Sequence, residues 1–163
     1  IRMAAELSDW SITGLDAGPN MLAQAEQAIA RAAPEKDIQL HLSHLPKTGL
    51  PDSSFDAVIS NSLLHHLPVA NILWESVHKL ARPGAAVMVM DLARPESEQM
   101  AHAIVEQYAA DAPNILQEDF YNSLLAAYTP GEIRQQLTDA GLETLDVDMV
   151  SDRHFMVSGR LPS

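Results

Sequence analysis

Three short apolar runs, each closed by a polar or acidic residue, constrain this chain most. They are residues 11–16 (SITGLD), 55–60 (FDAVIS) with Asn61 after them, and 85–91 (AAVMVMD). Each reads as a short buried strand. The third is nearly continuous in its hydrophobicity, which suits a central parallel strand covered on both faces. Ile38, Leu40 and Leu42 alternate with polar neighbours and add another strand.

Between these runs the period changes from two to that of a helix. Met21, Leu22, Ala25, Ile29 and Ala32 recur at helical spacing behind Pro19, which suits a first helical turn, and Pro34 stops them. Val69, Ile72, Leu73, Val77 and Leu80 form a second stripe, stopped by Arg82-Pro83-Gly84. Residues 95–127 are helical in character with a break at Pro113. Met100, Ile104 and Tyr108 make one face there, and Phe120, Leu124 and Tyr128 the next. Thr129-Pro130-Gly131-Glu132 is a capping box with proline at the first helical position. Ile133, Leu137 and Ala140 are its expected buried face and Gly141 its C-terminal cap. Leu145, Val147 and Met149 alternate, as do Phe155 and Val157, giving two late strands joined through Ser151-Asp152. At the start, Ile1, Ala4, Ala5 and Leu7 fit the end of an amphipathic helix broken by Ser8-Asp9. Strands alternating with helices predict an α/β fold, a mostly parallel sheet with helices on both faces. No linker or repeat divides the chain, so one domain is expected over residues 1–163.

Composition narrows the function classes. Hydrophobic residues make up 47% and charged residues 20% of the 163, as in an ordinary globular domain. No apolar run approaches the roughly 20 residues of a membrane span. Cysteine is absent, which excludes disulfides, thiolate catalysis and cysteine-ligated metals and favours a cytoplasmic location. Asp and Glu number 22 against 10 Lys and Arg, for a net charge of -12. Nucleic-acid affinity comes from neutralising phosphates, so nucleic acid and anionic membrane surfaces are poor partners.

In open α/β sheets, ligands bind outside the carboxyl ends of the strands. The residues there are Asp16, the pair Ser43-His44, Asn61 with His65 and His66, and Asp91. Asp16 precedes a Gly-Pro turn into a helix. Such a carboxylate accepts hydrogen bonds from a ribose diol, or caps the following helix, and both readings stand. His65-His66 has no third ligand at a recognisable spacing, and successive side chains point in different directions, so no metal is expected. Asp91 is read as closing its strand. Tyr108, Phe120, Tyr121 and Tyr128 are read mostly as core.

Ile12-Thr13-Gly14-Leu15-Asp16-Ala17-Gly18-Pro19-Asn20-Met21-Leu22 resembles the second block of the class I S-adenosylmethionine-dependent methyltransferases. There a strand-ending acid is followed by a short turn and a Met-Leu pair opening a helix. Residues 50–61 (LPDSSFDAVISN) resemble the segment leading into the family's fourth strand. Residues 63–67 and 80–85 resemble the approach to the fifth, and residues 128–133 with 140–142 the approach to a late strand. The nearest group is the small-molecule methyltransferases with a ubiquinone/menaquinone-methylase-like core and a Rossmann-like sheet. The resemblance implies S-adenosylmethionine as cofactor and a small-molecule acceptor. It implies Asp16 on the ribose hydroxyls, and Ala17 and Met21 against the adenosine. Ser43 and His44 fall near the adenine, where the family commonly has an acid that this chain lacks. Asn61 and Ser62 fall beside the methionine end. His65 and His66 fall at the mouth of the site, as candidate catalytic bases. Residues 96–142 would form a helical segment covering the substrate, and the resemblance makes substrate contact the alternative to core packing for Tyr108, Phe120, Tyr121 and Tyr128.

The family's first block, a strand and glycine-rich turn, has no counterpart here, and the seven glycines are scattered. The expectation is an N-terminally truncated domain whose first strand is missing from the middle of the sheet. Unpaired interior edges would then favour association, as a homo-oligomer. Two alternatives are a non-catalytic methyltransferase-like fragment or binding module, and an NAD-linked reductase, where an acid after the second strand also binds ribose.

Overall fold

Backbone pairing sorts the strands into two sheets. The computed structural model describes residues 10–32 and 37–163, so the expected helix end over residues 1–7 and its break at Ser8-Asp9, and the stop at Pro34, lie outside the described residues. The chain divides into two units, residues 1–50 and 51–163.

In the first unit, β1 (Ile12–Asp16) and β2 (Ile38–Leu42) pair in parallel, with Ile12 opposite Ile38 and Asp16 opposite Leu42. Parallel neighbours need a long crossover, and α1 (Pro19–Ala32) lies in it. Pro19 opens α1, as its position after Gly18 predicts.

The second unit carries β3 (Phe55–Asn61), β4 (Ala81–Leu92), β5 (Asp146–Met149) and β6 (His154–Arg160) in the order β3-β4-β6-β5. β3 and β4 are parallel, and α2 (Asn71–Leu80) lies in their crossover. β6 runs antiparallel to both β4 and β5. The expectation of a parallel sheet thus holds for β1–β2 and β3–β4 and gives way to a mixed sheet at the last two strands. The cause is local: only residues 150–153 separate β5 from β6, and so short a link joins antiparallel neighbours alone. Among the described residues, β1 pairs only with β2, and β3 only with β4.

α2 buries Leu73, Trp74, Val77 and Leu80, and the Trp74 indole donates to Gln136 Oε1 at 3.0 Å. Val69, expected on this stripe, precedes α2 and is exposed. β4 begins directly at Ala81, so Arg82-Pro83-Gly84 stops the helix and also opens the strand, where proline is tolerated.

α3 (Glu98–Ala109) and α4 (Asn114–Ala126) pack Ala101, Ile104, Val105 and Leu124 against Leu92 and Ala127. This corrects the expected face of α3. Met100 and Tyr108 are 47% and 44% exposed, because the buried stripe runs one residue around, through Ala101 and Val105. α5 (Pro130–Asp139) has the expected capping box, with Thr129 Oγ1 accepting from the Glu132 amide and Glu132 Oε2 accepting from the Thr129 amide. It ends in a Schellman motif. Leu142 N donates to Leu137 O, Gly141 N donates to Thr138 O, and Gly141 has φ 67°, which favours glycine.

Phe155 of β6 is fully buried. Phe155→Ala removes a large side chain from a packed interior and should lower unfolding free energy by about 3–5 kcal/mol. Urea denaturation measures this, and a loss under about 1 kcal/mol would mean that the side chain is not core.

Candidate functional site

The first unit ends its strands on Asp16 and Leu42, and the chain beyond them is held by Ser43 N donating to Asp16 O at 3.1 Å. Asp16 Oδ1 accepts the Gly18 amide at 2.6 Å. The first helical bonds of α1 go to Gly18 O, from the amides of Met21 and Leu22. Gly18 is therefore the residue in the capping position, and Asp16 sits two residues before it. Its carboxylate braces the strand-to-helix turn and does not cap α1 in the sense of receiving the second or third helical amide. A carboxylate has further lone pairs after one such bond. Gly18 makes the turn fit: a Cβ there would lie 3.1 Å from Asp16 Oδ1 and 3.3 Å from Met21 Cγ. Ala17 and Met21 are exposed beside this turn.

Ser43 and His44 follow β2. The Ser43 hydroxyl donates to Lys47 O at 2.7 Å, and His44 pairs with Lys47 in a tight turn that leaves its side chain exposed. The first unit thus brings Asp16, Ala17, Gly18, Met21 and the Ser43 backbone together.

In the second unit, Asn61 closes β3 and Ser62 turns the chain with φ 53°, its amide donating to Met90 O at 2.9 Å. A 3-10 turn, Leu64–His66, follows. Leu64 is fully buried. All of this converges on Asp91, at the carboxyl end of β4 and 1% exposed. Asp91 Oδ2 accepts the Leu64 amide at 2.7 Å, and Oδ1 accepts the Leu92 amide at 2.7 Å. Oδ1 also lies 2.5 Å from His65 Nδ1. Burial pushes the Asp91 carboxyl up, but the His65 contact and the Leu92 and Leu64 amides outweigh it and hold the carboxyl below its ordinary value. An ionised carboxylate only accepts, so His65 Nδ1 is the donor. The His66 ring lies against that of His65, centroids 3.9 Å apart and tilted by 43°. Burial first, and the neighbouring His65 second, push the His66 imidazole below its ordinary value, with Asp91 opposing.

Asp91 holds more of this strand end together than its reading as a strand terminus implies. The signal was present in an acid closing the most apolar strand, but its partners lie 27 and 26 positions earlier, at Leu64 and His65. Tyr108, expected in the core, instead donates to Asp152 Oδ2 at 2.7 Å, with the Arg153 guanidinium 3.4 Å over its ring. Tyr121 stacks on His102 at 4.3 Å.

The methyltransferase-domain family matches residues 1–87. Among curated proteins, the chain is 30% identical over 133 residues to the malonyl-[acyl-carrier protein] O-methyltransferase of Dechloromonas aromatica, covering 82% of this chain and 43% of that one. It is 22% identical over 142 residues to the arsenite methyltransferase of Halobacterium salinarum, covering 85% and 32%. The chain thus spans less than half the length of these relatives. Among solved structures it resembles a SAM-dependent methyltransferase of Aquifex aeolicus, with a TM-score of 0.66, 19% identity, and coverage of 93% of this chain and 69% of that one. That likeness agrees with the Rossmann-like α/β fold.

The depressed Asp91 carboxyl has a consequence for acid stability. Its folded value lies below its unfolded value of about 3.9, so its stabilisation is fully present above that pH and is lost as pH falls through the folded value. The stability gap between the wild type and Asp91→Asn should therefore hold steady down to about pH 5 and close below it. Urea unfolding at a series of pH values measures the gap. A gap unchanged down to about pH 2 would contradict the assignment.

Proposed function

The chain belongs to the methyltransferase-domain family, and from that premise we propose that it transfers methyl groups from S-adenosylmethionine and holds the cofactor's ribose on Asp16. The observation that carries this reading is the Asp16 carboxylate at the carboxyl end of β1, pinned by the Gly18 amide. A ribose presents two adjacent hydroxyl donors, and a pre-oriented carboxylate is the complementary acceptor. The space left by the absent Gly18 Cβ fits the same purpose, since it lets the acid sit close against the backbone. Ala17 and Met21, exposed beside the turn, offer apolar surface to the adenosine. The Ser43 hydroxyl is committed to Lys47 O, which leaves exposed His44 as the polar side chain for the adenine. For Asn61 and Ser62 the assignment to the methionine end rests on the family resemblance alone.

When bound, S-adenosylmethionine supplies an electrophilic methyl group on a sulfonium. The protein's share is then to orient the acceptor, exclude water and take a proton where the acceptor atom carries one. His65 and His66 are the side chains for the last task. The relatives act, by their names, on malonyl-[acyl-carrier protein] and on arsenite. For this chain we favour a small-molecule acceptor in the cytoplasm. The net charge of -12 disfavours polyanions such as nucleic acid, and the cysteine-free sequence supports the location.

Calorimetric titration tests the cofactor assignment. S-adenosylhomocysteine should bind and NADH should not. Asp16→Ala should weaken S-adenosylhomocysteine about 10- to 100-fold, the equivalent of losing charge-assisted bonds of ~1.5–3 kcal/mol. Binding of NADH alone, or an Asp16→Ala affinity equal to the wild type, would contradict it.

A further inference from the structure

We infer that Asp91 is a positioning residue: it locks His65 with the proton on Nδ1 and so presents Nε2 of His65 as the proton acceptor of the histidine pair. The inference rests on the methyltransferase reading only for what delivers that proton.

The geometry comes from three donors meeting one buried carboxylate. Leu64 N, Leu92 N and His65 Nδ1 all point at Asp91. The two backbone bonds fix the carboxylate and the 3-10 turn to each other. The ring of His65, whose side chain is 5% exposed, therefore has one orientation, with Nδ1 engaged. The proton on a neutral imidazole follows the partner of each nitrogen, and a carboxylate on Nδ1 of the neutral ring leaves Nε2 with its lone pair. Among the described residues, His66 has no such partner. Its neighbour is the tilted ring of His65, and it is exposed. The third imidazole close enough to act on Asp91 is His154, at the start of β6, and its Nδ1 is engaged with the Ser151 hydroxyl at 2.9 Å. Of the three histidines around Asp91, only His65 is in contact with the carboxylate.

In the reaction, His65 Nε2 receives the proton released from an O–H or N–H acceptor. The acceptor atom bonds the methyl carbon, the carbon–sulfur bond breaks, and its electron pair stays on sulfur. The Asp91 carboxylate then stabilises the positive ring, as a buried acid does for an imidazole base. For an acceptor atom without a proton, the pair has no proton to take.

Nitrogen-15 NMR of the histidine rings, in the full chain at mildly alkaline pH, reads the tautomers directly. The wild type should show His65 protonated at Nδ1. Asp91→Asn can offer an N–H to Nδ1 and should move the His65 proton to Nε2, while the His66 signals stay where they are. A wild-type His65 protonated at Nε2 would overturn the inference, even if Asp91→Asn does not fold. So would a His66 that responds while His65 does not. Adding S-adenosylhomocysteine to the same sample separates the two readings. A locked His65 without shifts at the Asp16 and Gly18 amides supports the role of Asp91 and overturns the cofactor assignment. Amide shifts with a His65 that is not locked do the reverse.

Discussion

A buried charge survives in a protein only when nearly every lone pair it turns inward is answered. Asp91 meets that condition with two backbone amides and one imidazole, and the carboxyl edge of the second unit depends on it. The bond to Leu64 ties the turn after β3 to the end of β4. The Leu92 bond shapes the strand's exit. The His65 bond turns a surface-type side chain inward and engages its Nδ1. Deleting the carboxylate would take the shared acceptor from all three donors at once, so turn, strand end and histidine are coupled through it.

The first unit solves the same local problem differently. Asp16 also closes a parallel strand, and its carboxylate also takes a backbone amide from the turn that follows. Its partner is only two residues away, and the side chain is partly exposed. Asp91 spends its acceptor capacity on the protein, whereas Asp16 spends one bond and keeps the rest for solvent or a ligand. Similar acids at similar strand ends thus take different jobs, and what separates them is burial and the range of their partners.

That difference also explains what could be read from the amino-acid sequence. The strands announced themselves as apolar runs, and α5 by Thr129, Pro130, Glu132 and Gly141, because those signals are local. The role of Asp91 was not local, since nothing near Asp91 names Leu64 or His65. The face of α3 is obscured for another reason. Alanine carries little hydrophobic signal, so the pattern favours Met100 over Ala101, although Ala101 is fully buried. Tyr108 looked like core by spacing, yet Asp152 and Arg153 give its hydroxyl and ring polar partners at the surface. The antiparallel turn of the last two strands was within reach, because a link of four residues permits nothing else. The two readings of Asp16, ribose acceptor or helix cap, share one local signal, an acid before a helix; the coordinates show its bond to the Gly18 amide, and the ribose contact is the proposal.

The central claim is that an acid at the end of β1 is kept open for a ribose. A crystal structure of the chain grown with S-adenosylhomocysteine tests it most directly. The account predicts both ribose hydroxyls within hydrogen-bonding distance of the Asp16 carboxylate, with the Gly18 amide bond still in place. A bound nucleoside whose ribose is held elsewhere, with Asp16 bonded to the Gly18 amide alone, would contradict it.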